Sequence, residues 1–197
     1  MDGPVRISKE VGQDGVLDLS FLVLPGSKAD VEVVVDIVGQ GARVSLSGIC
    51  ISSGNDAPSF RIRLDHTSGG SVSLQKFHCI AGGRSRVSFD GKITVAPDAQ
   101  KTEAYQENHN ILLGTESRAE TTPQLEIYAD DVKCSHGATV GRLDADEQFY
   151  MLSRGIPADE AKVLQLISFV SPVVDMFPEA EREAVAEKVE NAIRSLL

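Results

Sequence analysis

The stretch "ARVSLSGICI" (Ala42–Ile51) is followed 28 residues later by its echo, "SVSLQKFHCI" (Ser71–Ile80), aligned on the shared "VSL" at 44–46 and 72–74. Both read as β-strands, rich in β-branched residues and bounded by Gly, Asp and Ser punctuation. Three further runs share that grammar: "VEVVVDIV" (Val31–Val38), "SFRIRLDH" (Ser59–His66) and "RVSFDGKITV" (Arg86–Val95). A second echo, "FRI" at 60–62 against "VSF" at 87–89, recurs after 27 residues. Strand, turn, strand, repeated at a near-constant period, predicts rungs of a solenoid stacked strand on strand. A β-sandwich of evenly spaced hairpins is the alternative, and the period favours the solenoid. Gly69-Gly70 and Gly82-Gly83 fall between strands and read as turn residues.

After about residue 143 the period changes to 3.6. Asp144 is placed as an N-cap with Glu147 three residues on, the pattern of a capping box, and Gly155 ends the short helix that follows. Pro157 is expected at the first position of a second helix, with Asp159 and Glu160 near its positive end. That helix is expected to run to about Val170 and to close at Pro172. Pro178 opens a third, whose Val185, Val189, Ala192, Ile193 and Leu196 form one apolar stripe. The expected division is therefore 1–143, a β core, and 144–197, a small helical subdomain. A helical hairpin this short buries little by itself. It either caps the solenoid or serves as a docking platform, and the residues alone leave both open.

Composition narrows the function. The 197-residue chain is 42% hydrophobic, enough for a core, yet only 5% aromatic and without Trp. Its net charge of -10 disfavours nucleic acid and anionic membranes as partners. No apolar run spans a bilayer and the start lacks a secretory pattern. Three cysteines without framework spacing point to reduced thiols in the cytoplasm. Phosphate loops, dinucleotide fingerprints, nucleophile elbows and paired CxxC motifs are all missing, which argues against the common enzyme classes and a structural zinc site. A solenoid enzyme acting on carbohydrate needs clustered carboxylates. Asp130-Asp131 is the one adjacent pair in the later part of the β region, and in a strand its side chains would diverge.

"DDVKCSHGATVG" (Asp130–Gly141) is the one stretch where chemistry concentrates. Cys134 and His136 lie two apart, so in a strand they share a face at about 6–7 Å between Cα atoms. A thiolate and an imidazole at that spacing can share one soft or borderline metal ion. Two ligands do not complete a site, and a packed thiol beside a hydrogen-bonded histidine fits the spacing as well. Cys50 and Cys79 read as core; His66, His78 and His109 read as surface or rung-edge residues.

The stretches "GKITVAPDAQKTEAYQENHNILL" (Gly91–Leu113) and "TTPQLEIYADDVKCSHGATVGRLDADEQFYMLSRGIPADEA" (Thr121–Ala161) closely resemble the C-terminal core of the SufB/SufD family of iron–sulfur cluster assembly proteins. The form "KCSHGATVG" resembles the SufD branch: Ser135 and Gly137 stand where SufB has acidic residues, and no cysteine lies between Cys79 and Cys134 to match the SufB scaffold cysteine. The resemblance implies a right-handed parallel β-helix followed by C-terminal helices. It implies a non-catalytic scaffold subunit that pairs with SufB, or with a second copy of itself, through the β-helix. It further implies that the ATPase SufC docks on the helices, for which Pro157, Leu164, Ile167, Val185 and Val189 are the candidate contacts. His136, and more weakly Cys134, would then contribute to a transient cluster or iron at the junction of two β-helices, with no cofactor expected in the isolated chain. Members of the family are longer and carry a helical region ahead of the β-helix, so this sequence is expected to be a shortened member with its opening rungs uncovered.

Overall fold

In a computed structural model that describes residues 3–197, ten strands wind into a solenoid of about five turns and three helices follow. Odd strands form one parallel sheet: β1 (Gly3–Val11), β3 (Ala29–Ile37), β5 (Ser59–His66), β7 (Arg86–Val95) and β9 (Arg118–Ile127). Even strands form the other: β2 (Val16–Val23), β4 (Arg43–Ser52), β6 (Val72–Ala81), β8 (Glu103–Leu112) and β10 (Lys133–Gly141). The inner faces of the two sheets meet in one core of Val, Ile, Leu and Phe. Phe77 sits at its centre, 5.3 Å from the Phe60 ring and 5.2 Å from that of Phe89. Gly48 makes the room: a Cβ there would fall 2.4 Å from the Phe77 ring.

The "VSL" echo is out of register by one and the "FRI"/"VSF" echo by two. Val44 pairs with Ser73, not Val72, and Phe60 pairs with Phe89. The repeat at these positions is 29 residues, because a slip of one would turn every inward side chain to solvent. Val44 is buried while Val72 is 36% exposed, as the corrected register demands. Gly70 and Gly83 adopt positive φ in the turns, the conformation their side-chain-free backbone permits. Asp130 and Asp131 lie in the bend before β10, not in a strand.

Three helices complete the chain: α1 (Ala145–Ser153), α2 (Ala158–Val174) and α3 (Glu179–Leu196). Asp144 caps α1, accepting from the backbone N–H groups of Asp146 and Glu147. Glu147 does not return the bond; its carboxylate accepts from Gln165 Nε2 of α2 at 2.8 Å. Pro157 is the N-cap of α2 and not its first turn. Pro172 lies inside α2, which continues to Val174. Proline removes the N–H that would bond the Ser168 carbonyl, but Ser168 is exposed, so that carbonyl stays open to solvent. Arg194 of α3 forks onto both carboxylate oxygens of Glu160 in α2, at 2.8 and 3.0 Å.

The hairpin covers a flank of the solenoid and not an end. Leu166, Val170, Val173, Val185, Val189 and Ile193 pack on Ile49, Ile51 and Ile80, outward residues of β4 and β6. These strands therefore bury both faces toward their C-terminal ends, which is why "GICI" and "HCIA" lose the alternation there. Among the described residues no helix is long and apolar enough to cross a membrane.

Candidate functional site

The last rung, β9 with β10, has no further rung above it, so inward side chains at this level meet solvent. Register places Cys134 over Ala104 and His136 over Gln106. Ala104 and Gln106 are buried inward residues of β8, so Cys134 and His136 stand on the inner face of β10, at the mouth of the lumen. His136 is exposed and Cys134 half-buried against the core. Burial raises the Cys134 thiol above its ordinary pKa, with a backbone contact to Ala104 opposing. The thiol is thus a proton-bearing, reluctant ligand until a metal displaces the proton.

The lumen changes chemistry as it approaches this mouth. One column runs Leu19, Leu46, Gln75, Gln106, His136; the next runs Phe21, Gly48, Phe77, Asn108, Ala138. Apolar side chains fill the early rungs, and amides fill the later ones. Asn110 Nδ2 donates to Asn108 Oδ1 at 2.8 Å and to the Thr139 carbonyl at 3.0 Å, which ties the last rung to the one before. On the outer side of the same edge, Lys133 pairs with Glu103 at 2.8 Å, and Tyr105 donates to Glu103 at 3.2 Å. The Lys133 ammonium holds the Glu103 carboxyl below its usual range.

Among the described residues no group of three His, Cys, Asp or Glu side chains is placed to hold a metal ion. Cys134 and His136 thus stand as two side chains that could ligate a metal, on a surface open to a second molecule. The other histidines are spoken for: His66 and His78 are buried, contrary to their reading as surface or rung-edge residues, while His109 is half-buried. His66 is buried with both ring nitrogens against hydroxyls, Nδ1 on Ser71 at 2.8 Å and Nε2 on Ser73 at 2.9 Å. His78 is buried under α2, stacked on Phe169. His109 shares a hydrogen bond with Thr139 at 2.9 Å. Cys50 and Cys79 are core, as expected.

Residues 5–169 match the family described as SUF system FeS cluster assembly, SufBD core domain. The chain belongs to the SufBD core family. It is 38% identical over 137 residues to the iron-sulfur cluster assembly protein SufD of Escherichia coli, covering 70% of this chain and 32% of that protein. A SufBD family protein of Synechocystis is 42% identical over 117 residues, 59% of this chain and 25% of that one. Protein ABCI7, chloroplastic, of Arabidopsis thaliana is 38% identical over 138 residues, 70% of this chain and 28% of that one. The chain spans less than half the length of each of these relatives.

The expected docking residues divide sharply. Val185 and Val189 are buried against the solenoid and Ile167 packs on the same cluster, so these three hold the hairpin in place. Only Leu164 and Pro157 face outward. The apolar surface on this side belongs to α1, where Phe149 is 73% exposed and Tyr150 and Leu152 join it. Tyr150, Met151 and Leu164 line an open groove of about 590 Å³ between α1 and α2. The hairpin stripe hid this distinction, because periodicity marks an apolar face without saying what covers it. Gln75 and Gln106 were missed altogether. Their signal was the inward parity of "SLQKF" for Gln75 and of "EAYQENHN" for Gln106, which puts amides where a core would place apolar side chains.

Proposed function

We propose that this chain is a scaffold subunit for iron–sulfur cluster assembly that catalyses no reaction of its own. Its open rung pairs with a second β-helix, SufB or another copy, and the junction holds the nascent cluster. His136 supplies an imidazole and Cys134 a thiolate once metal displaces its proton; the partner supplies the remaining ligands. One observation carries this reading: the chain's Cys-x-His pair sits on the inner face of an uncovered terminal rung, with no third ligand within reach among the described residues. Thiolates are the usual cluster ligands and imidazole a known substitute. An incomplete set suits a scaffold, because the cluster must leave it.

The ATPase SufC docks on the outward face of the helical subdomain, centred on Phe149, Tyr150, Leu152 and Leu164. Closure of paired ATPase subunits is transmitted through the rigid solenoid to the junction, which opens and admits iron and sulfide. The alternative of a carbohydrate-active solenoid is weaker, since Asp130 and Asp131 occupy a bend and not a strand face.

The test is His136→Ala in the reconstituted complex. Cluster absorbance is lost while the variant chain keeps its circular dichroism and its melting midpoint. Normal cluster loading by the variant overturns the assignment.

A further inference from the structure

Two amides stand one above the other on the column that ends at His136. Gln106 Nε2 donates to Gln75 Oε1 at 3.0 Å, and both side chains are buried. Each amide keeps one buried atom without a partner: Nε2 of Gln75 and Oε1 of Gln106. These atoms are the two ends of a two-member ladder. Along such a ladder each NH₂ group faces the rung before it and each carbonyl faces the rung after it. Below Gln75 the column continues with Leu46, which accepts nothing. Above Gln106 the residue in register is His136.

Gly91 helps to seat the upper amide. A Cβ at Gly91 would fall 2.4 Å from Gln106 Nε2 and 2.6 Å from the Phe89 ring, so a larger residue would displace the amide or the ring. A buried carbonyl without a donor is costly and persists where something is meant to fill it. No further rung confines the His136 side chain, and adjacent strands lie about 4.8 Å apart, within reach of a side-chain rotation.

We infer that Gln106 is a positioning residue for His136: its Oε1 accepts the Nδ1–H of the imidazole, fixes that tautomer, and turns the Nε2 lone pair out of the lumen toward an incoming metal ion. Histidine ligands commonly have one ring nitrogen anchored in this way while the other binds metal. The inference deepens the scaffold reading and rests on it for the metal; the hydrogen bond itself belongs to this chain alone.

The experiment is nitrogen-detected NMR of the whole chain labelled with ¹⁵N-histidine, at a pH where the imidazole is neutral. His136→Ala identifies the His136 signals. The Nδ1–H tautomer is expected to dominate in the unsubstituted protein, against the Nε2–H preference of an unconstrained histidine side chain. Gln106→Met keeps the volume and removes the acceptor, and should shift the ratio toward Nε2–H by about fivefold, what one ordinary hydrogen bond commands. Gly91→Ala displaces the amide and should shift it the same way. An Nε2–H majority in the unsubstituted protein, or a ratio unmoved by Gln106→Met, overturns the inference. Should both variants fail to fold, the unsubstituted ratio decides alone. Failure of the scaffold reading shows separately, as normal cluster loading by His136→Ala while the tautomer remains as stated.

Discussion

The Nδ1–H of His78 donates to the carbonyl of Phe169 at 2.6 Å, and the two rings stack with centroids 4.7 Å apart. A strand of the β-helix thereby grips the hairpin across 91 positions of sequence. Burial keeps this ring neutral, depressing the His78 pKa to about 4 although the hydrogen bond to Phe169 pulls the other way. His66, enclosed by Ser71 and Ser73, is lowered to about 4 for the same reason.

These two histidines make stability depend on pH. Between pH 6.5 and 4 the unfolded chain binds protons that the folded chain refuses, so stability rises with pH through that window and falls on acidification. At 1.36 kcal/mol per pKa unit, each contributes up to about 3 kcal/mol of that loss. Urea midpoints measured from pH 7 to pH 4.5 should decline steadily. His78→Asn keeps an N–H donor near the Nδ1 position and cannot titrate, so it should remove about half of the slope. An unchanged slope would count against the His78 assignment.

The hairpin offers a contrast between packing and docking. Val189→Ala deletes buried methyl groups against the isoleucines of β4 and β6 and should cost about 1–3 kcal/mol in denaturant melts. Phe149→Ser and Leu164→Ser alter exposed side chains and should move stability by less than about 0.5 kcal/mol. Co-purification with the ATPase is expected to survive the first substitution when the chain is folded and to fail after the second pair. The reverse outcome would relocate the docking surface.

Inside the solenoid, Gly48→Ala should destabilise by about 1–3 kcal/mol, since its Cβ would fall 2.4 Å from the Phe77 ring in a filled core. Equilibrium unfolding in guanidinium measures it. A neutral result would mean that Phe77 has room to yield.

Thiol chemistry should separate the cysteines. Cys50 and Cys79 are buried, and the Cys50 thiol is raised in pKa by its hydrogen bond to Cys79 and by burial. Neither should react with iodoacetamide while the protein is folded. Cys134 should be the single reactive thiol at pH 8, yet slower than free cysteine because burial keeps it protonated. Mass spectrometry counting more than one adduct on folded protein would contradict this.

Much of this architecture was legible in the chain itself. Period-two runs, glycine turns and the change of grammar near residue 143 were enough for a solenoid with a helical tail. Register was not legible, because two "VSL" triplets match by eye while Val44 and Val72 point opposite ways. Sequence identity between short strands says nothing about parity; stacking does. Pro172 misled for a related reason, since its effect depends on whether the carbonyl it leaves unpaired is open to solvent. At the site, spacing put Cys134 and His136 on one face, but only the winding shows that this face is the inner one, laid open by the absence of a further rung. Gln106 lies 30 residues before His136 and becomes its neighbour only when the rung length is known.

The placement of the hairpin also bears on how the protein is made. Its residues are synthesised after the rungs, yet they shield Ile49, Ile51 and Ile80, which precede them in the chain. Stacked rungs can order progressively as the chain emerges, each on the one before. The isoleucine flank then remains wet until α2 and α3 arrive, a sticky seam on an otherwise finished cylinder. A ribosome-bound chain stalled before residue 158 should therefore recruit general chaperones, and its release from them should coincide with the emergence of α3.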